Sequence, residues 1–186
     1  AFYEAAEKVR RNRALPEIGH VARPGRRLRI GFFTDIGEGT PAHPDSVAAA
    51  VHAAKLCEEL GHSVEPAPLP FEEGFHEDFF LNWAGLAFAL LRFGKQVVHP
   101  DFDRDAVEPF TKGLARYFRE NAFRAPATIL RLRKFGRRYA RNFERYDVLM
   151  NPTIAAPPPE LGFIGPEVEF ETALERLKWF IPFTPV

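Results

Sequence analysis

RRLRIGFFTD, residues 26–35, decides how the rest of the chain is read. Its apolar centre, 28–33, has the length and composition of a buried strand. Pro24 and Gly25 precede it, and a glycine- and proline-rich loop, 37–44, follows. Helical spacing comes next, over 45–60, where Val47, Val51, Ala54 and Cys57 recur at three and four residues and form one apolar face. Asp45 or Ser46 is placed to cap the start of that helix, and Gly61 suits the left-handed position past its end. HSVEPAPL, 62–69, reads as a second short strand. Strand, helix and strand in close succession make a βαβ unit, which predicts parallel strands and a right-handed crossover.

Beyond Pro70 the pattern turns helical. Residues 71–94 place Phe75, Phe79, Trp83, Leu86 and Leu90 on one face. A loop, HPDFDRDAVEP, leads to helices expected over 106–121 and 126–145, the second striped by Leu132, Phe135, Tyr139, Phe143 and Tyr146. A third strand is expected over 146–150, stopped by Asn151-Pro152-Thr153 and held in an extended loop by Pro157, Pro158 and Pro159. A helix is expected over 169–180. The fold class is therefore α/β: a parallel or mixed sheet with helices on both sides. It is read as a single partial domain over 1–186, with an N-terminal helix and linker (1–25), the βαβ unit (26–70), a helical insertion (71–145), and a strand, proline-rich loop and terminal helix (146–186). Both ends read as cut, because AFYEAAEKVRRNR begins inside helical sequence without a cap and WFIPFTPV is apolar enough to be buried.

Composition removes several function classes. The 25 basic and 25 acidic residues cancel, so no global field points to nucleic acid or membrane. Cys57 is the only cysteine, which rules out an internal disulfide and the four-cysteine zinc patterns and favours a reducing, cytoplasmic setting. The longest apolar run, WAGLAFALL, is too short to span a bilayer. Nineteen phenylalanines imply an aromatic core or pocket.

The chemistry-bearing motifs are sparse. GEGTPA, 37–42, matches the glycine spacing of a dinucleotide loop, but Pro41 and Pro44 push the helix start past it and no acidic residue ends the next strand, so a surface loop is the plainer reading. The helix 126–145 carries Arg131, Arg133, Lys134, Arg137, Arg138, Arg141 and Arg145, a pattern compatible with phosphate binding. Those cations flank an aromatic stripe as any solvated face would, and Glu72, Glu73, Glu77 and Asp78 can offset them. The six histidines are scattered, and no metal or cofactor is expected. The two serines, Ser46 and Ser63, sit at a helix start and a strand start rather than on a nucleophile turn, so no catalytic residue is assigned. Phe79, Phe80 and Trp83 read either as core or as pocket lining.

Several stretches together resemble the amidase signature family. LRIGFFTD with its following loop is similar to the strand after that family's catalytic region, and HPDSVAAAVHAAKLCEELGHSVEPAPLP to the next helix and strand. Leu56, Cys57, Glu58, Glu59, Leu60, Gly61, His62, Val64 and Glu65 carry that likeness. YDVLMNPTIAAPPPELG resembles the family's Y-D-x-L-x-x-P-T-x-A-x-x-P-P-x-x-G through Tyr146, Asp147, Leu149, Pro152, Thr153, Ala155, Pro158, Pro159 and Gly162. PFTPV looks like the lead-in to a further family segment. The likeness runs from about Arg26 to the end.

The resemblance implies a single large α/β/α enzyme that hydrolyses carboxamides through a Ser–cis-Ser–Lys triad, in which lysine acts through the cis-serine on the nucleophile. No Gly/Ser-rich segment of that kind occurs here, and the family's order would put the triad before Ala1. The chain is therefore expected to be a triad-less segment, inactive alone, of an enzyme whose partner is a small-molecule amide, with neither nucleic acid nor membrane involved and with self-association of exposed apolar surface. Asn151 and Thr153, at a strand's carboxyl end, and Phe80 and Trp83, in a wall of apolar helices, are the expected substrate contacts. The alternative is a non-catalytic βαβ module that binds a nucleotide or polyanion through loop 37–44 or helix 126–145.

Overall fold

The computed structural model describes residues 2–9, 17, 19, 25–35, 42–68 and 71–177. A first helix, α1 (Phe2–Val9), is followed by β1 (Arg29–Phe32), α2 (Pro44–Glu59) and β2 (Ser63–Pro66). Then come α3 (Phe75–Val97), α4 (Pro109–Asn121), a 3-10 turn (Ala122–Arg124), α5 (Ala125–Tyr139), α6 (Asn142–Arg145), β3 (Val148–Met150) and α7 (Phe170–Leu177).

The three strands form one parallel sheet in the order β2-β1-β3. Ile30 lies opposite Val64 on one side and Val148 on the other, so the expected βαβ unit stands, with the third strand added to its free edge. The second strand is shorter than 62–69 because Pro66 and Pro68 have no N–H for the ladder. The Ala67 amide still donates to the Phe32 carbonyl at 2.8 Å.

The start of α2 differs from the expectation. Neither Asp45 nor Ser46 caps it; His43 is the N-cap, and its Nδ1 accepts from the Asp45 amide at 3.2 Å. Pro44 causes the shift, because its fixed φ suits the first helical position and so places the cap at residue 43, two residues before Asp45. Gly61 does take the left-handed conformation past the helix end, with φ 90°.

β1 can lie close to β3 only because its middle residue has no side chain. A Cβ on Gly31 would stand 2.8 Å from Leu149 Cδ2 and 2.9 Å from the Tyr146 ring. Tyr146 is 1 % exposed, and its hydroxyl reaches the Pro66 carbonyl at 3.5 Å.

In the helical unit, α3 packs against both α4 and α5. The apolar face expected for α3 is corrected here. The residues that bury are Phe75, Asp78, Leu81, Ala84, Ala87 and Gly94, while Leu86 is 64 % exposed. The bulk in this interface is delivered to α3 rather than by it. The Phe118 ring lies over Gly85 and the Phe102 ring over Gly94, and in α4 Gly113 receives Phe170 in the same way. Three of the nineteen phenylalanines are spent on this ring-on-glycine packing. The helix expected over 126–145 is divided at residues 140–141, where Arg141 N bonds to Arg138 O at 3.0 Å and tightens the turn. The last helix begins at Phe170 and is described to Leu177; 178–180, like the terminal PFTPV, lie outside the described residues.

Two apolar clusters result. Phe33, Ala42 and Ala155 gather at the carboxyl end of the sheet, with Val47, Ala67, Phe71 and Leu149 around them. Ala84, Ala87, Leu114 and Phe170 centre the helical unit. A run of rings spans the two units: Phe71 to Phe75 (5.3 Å), Phe75 to Phe135 (4.1 Å), Phe135 to Tyr139 (5.8 Å) and Tyr139 to Phe143 (5.8 Å).

Candidate functional site

All three strands point their carboxyl ends at one edge, where ligands of parallel α/β sheets gather. Thr34 and Asp35 leave β1 there, and Asn151, Pro152 and Thr153 leave β3. The loop after β3 is fixed from both sides. The Phe33 amide donates to Met150 O at 3.2 Å, and the His43 amide donates to Ala155 O at 2.6 Å. Ala155 is fully buried between Phe33 and Ala42. The edge thus consists of an apolar plug ringed by short polar side chains.

Within that ring, Asn151 is half-buried and turned onto its own loop, its Nδ2 donating to the Pro152 carbonyl at 2.7 Å. Pro152 is buried and Thr153 is exposed. Asn151 therefore shapes the loop, while Thr153 presents a free hydroxyl face to solvent. Pro157, Pro158 and Pro159 are exposed and hold the chain extended past the plug.

Phe80 and Trp83 belong to the other cluster. The Phe80 ring meets Tyr117 edge-on at 4.8 Å, and Trp83 meets Phe110 at 5.7 Å, both beside Leu114. Among the described residues, no hydrogen bond, ring contact or shared cluster joins them to Asn151 or Thr153. The helical unit also holds open space: grooves of about 480 Å³ at Gly94–Phe102 and about 510 Å³ at Gly113–Phe170, and a cleft of about 170 Å³ between Phe75 and Arg131.

Two positioning networks were not read from the sequence. Asp147 receives both guanidinium nitrogens of Arg26 at 2.9 Å and the Arg29 amide at 2.8 Å. The Arg26 bonds and the Arg29 N–H hold its carboxyl far below the ordinary carboxylate range. This clamp sets β3 beside β1. In the helical unit, buried Asp78 accepts from Arg131 Nε and Nη2, both at 2.6 Å, and from Thr128 Oγ1 at 3.0 Å. Arg131 chiefly, with Thr128 assisting, lowers the Asp78 pKa against the opposing effect of burial. The signal available was a lone aspartate three residues from both Phe75 and Leu81 in an apolar helix.

The basic helix is partly neutralised. Arg131 pairs with Asp78, Arg138 with Glu72 and Arg145 with Glu65, so cations at seven-residue spacing clamp α5 and α6 to α3 and β2. Gly37 to Pro41 of the dinucleotide-like loop lie outside the described residues. Among the described residues, no group of three or more His, Cys, Asp or Glu side chains is placed to hold a metal, and no helix is long and apolar enough to cross a membrane.

Comparison with known proteins fits this arrangement. The sequence profile of the Amidase family matches residues 13–186. Proteins of Mycobacterium tuberculosis and Mycobacterium bovis named "Putative amidase AmiC" are 40% identical over 192 aligned residues, covering 100% of this chain and 39% of theirs. The Mycobacterium leprae protein of that name is 38% identical, with 40% of its length covered. The chain thus spans about two fifths of the curated relatives it matches. Among solved structures, 6-aminohexanoate cyclic dimer hydrolase complexed with substrate superposes with a TM-score of 0.64 at 24% identity, over 87% of this chain and 36% of that one. A second structure of 6-aminohexanoate cyclic dimer hydrolase gives 0.63. These superpositions bear on fold, and they agree with a parallel α/β arrangement. The whole-length sequence match adds family, and the chain belongs to the amidase family.

Proposed function

We infer that this chain forms one edge of the substrate cleft of an enzyme that hydrolyses carboxamides, R–CO–NH–R′ + H2O giving R–COOH and R′–NH2. The observation that carries the reading is the 40% identity, over all of this chain, to the mycobacterial proteins named "Putative amidase AmiC". The geometry supports it: three parallel strands end at one edge, with Thr153 exposed beside a rigid apolar plug. In this reading the Ser–cis-Ser–Lys triad lies in a part of the parent protein that these 186 residues do not include, and this chain alone is inactive. Thr153 contacts the amide, Asn151 holds the loop, and Phe80 and Trp83 support an apolar acyl- or aryl-binding wall. The setting is cytoplasmic, where the single Cys57 stays reduced.

The test compares this chain with the parent reading frame on an aryl amide that releases a coloured amine. The expected result is turnover by the parent, none by the chain, and loss of turnover when the parent's signature serine is replaced by alanine. A parent that binds but never hydrolyses amides would overturn the reading.

A further inference from the structure

The two outer edges of the three-stranded sheet are built differently. Backbone groups of a strand point alternately to its two sides. In β1 the odd-numbered residues face β3: the Arg29 carbonyl accepts from the Asp147 amide at 2.8 Å, and the Phe33 amide donates to the Met150 carbonyl at 3.2 Å. The even-numbered ones face β2, where the Leu28 carbonyl accepts from Ser63 and the Phe32 carbonyl from Ala67, both at 2.8 Å. Ser63, Glu65 and Ala67 therefore turn their amides inward, and the outward positions of this strand and its continuation are Val64, Pro66 and Pro68. Two of those three positions have no N–H to offer. Pro66 and Pro68 are both exposed, and they close this edge to a further strand.

The β3 edge carries no such guard. Its register and the bond from Phe33 to Met150 turn the backbone of Val148 and Met150 toward β1, so Leu149 turns its N–H and C=O outward. Neither group has a hydrogen-bond partner among the described residues. The strand is apolar throughout, Val148-Leu149-Met150, with no charge or proline, and Val148 is left 41 % exposed. An unpaired apolar edge of this kind is a template for another strand.

We propose that β3 pairs on its outer side with an apolar strand from the part of the longer parent protein that these 186 residues do not include, and that β2 is the terminal strand of the completed sheet. The source of that strand follows from the relatives, of whose length this chain covers only 39%. A strand within the same protein is held at an effective concentration that a second copy does not reach. The proposal rests on family membership and not on the amidase reaction. Its consequence for the site is one of position: the loop 151–155 then lies inside the carboxyl edge of the sheet rather than at its margin, walled on both sides.

The experiment is amide hydrogen exchange, read residue by residue by mass spectrometry, on the 186-residue chain and on the parent protein. In the chain, Leu149 should exchange freely while Met150, turned to β1, is protected. In the parent, Leu149 should slow by on the order of 100-fold or more, while Val64 on the outer side of β2 exchanges as fast as in the chain. Val148→Lys, a charge of the kind that guards edges, should leave the melting temperature of the chain unchanged and lower that of the parent by several degrees. Equal exchange of Leu149 in the two proteins would overturn the proposal, as would protection that appears at Val64 instead. Protection of Leu149 in the chain alone that grows with concentration would also overturn it, assigning the edge to a second copy. None of these measurements depends on turnover, so a parent without amidase activity leaves them standing.

Discussion

Asp147 grips Arg26 through two parallel hydrogen bonds of 2.9 Å across 121 residues of sequence, and the same carboxylate takes the Arg29 amide at 2.8 Å. One side chain thus fixes both the approach to β1 and the start of β3. Its pKa lies below the unfolded value of about 3.9, so its contribution to stability is present above about pH 4 and is lost as pH falls through the depressed folded value. Asp147→Asn keeps the shape and removes the charge. The variant should unfold at lower urea than wild type at neutral pH, and the gap between the two should close on acidification below about pH 4. A gap that stays constant down to strong acid would mean that the ion pair is not what the substitution removed.

A second aspartate works in a drier place. Asp78 is 6 % exposed and satisfies both Thr128 and Arg131. Replacing it with alanine strands a buried hydroxyl and half of a guanidinium, while the exposed half of Arg131 stays in water. The expected loss is about 2 kcal/mol, below the range for a wholly buried pair because Arg131 is partly solvated. Thr128→Val, which removes one neutral partner, should cost about 1 kcal/mol. Urea unfolding of both variants checks the order, and an equal loss would count against Arg131 as the main partner.

Glycine-to-alanine changes should split by sign. Alanine is favoured over glycine in a helix by about 0.5–1 kcal/mol when nothing is in the way. A Cβ on Gly136 meets nothing within 4 Å, so Gly136→Ala should stabilise by that amount. A Cβ on Gly113 runs into the buried Phe170 ring, and overpacking of about 1–3 kcal/mol should outweigh the helix gain. Phe170→Leu in the Gly113→Ala background should recover part of the loss. Thermal melts of the three proteins decide it; equal shifts for Gly113 and Gly136 would show that the ring yields freely.

The same glycines explain what the sequence could and could not show. The βαβ unit was legible because its signals are local: an apolar run at 28–33, a spaced helix and Gly61 at its end. The buried face of α3 was not, because the residues that define it come from elsewhere. Phe118 reaches Gly85 from α4, and Phe102 reaches Gly94 from the following loop, so the small residues of α3 bury while Leu86 stays in water. The helix cap moved to His43 because proline geometry outweighed side-chain preference. At the candidate site, the position of Asn151 and Thr153 after a parallel strand could be read from the proline pattern. The packing of Phe80 on Tyr117 depends on a helix 37 residues later and could not.

Asn151 and Thr153 differ in what they do for the loop, and under the proposed function that difference separates scaffold from substrate contact. The Asn151 amide bonds within the loop, to Pro152 O, while Thr153 is exposed and contributes to no cluster. In a longer protein with the proposed amidase activity, Asn151→Ala should therefore lower both thermal stability and activity, because the turn after β3 loses its internal bond, at about 1 kcal/mol. Thr153→Ala should leave the melting temperature unchanged and lower kcat/KM on an aryl amide by up to about tenfold, the worth of one hydrogen bond to substrate. Thr153→Ser, which keeps the hydroxyl, should restore most of that loss. If Thr153→Ala leaves kcat/KM untouched, the hydroxyl does not meet the amide, and the polar ring at the sheet edge serves the loop rather than the substrate.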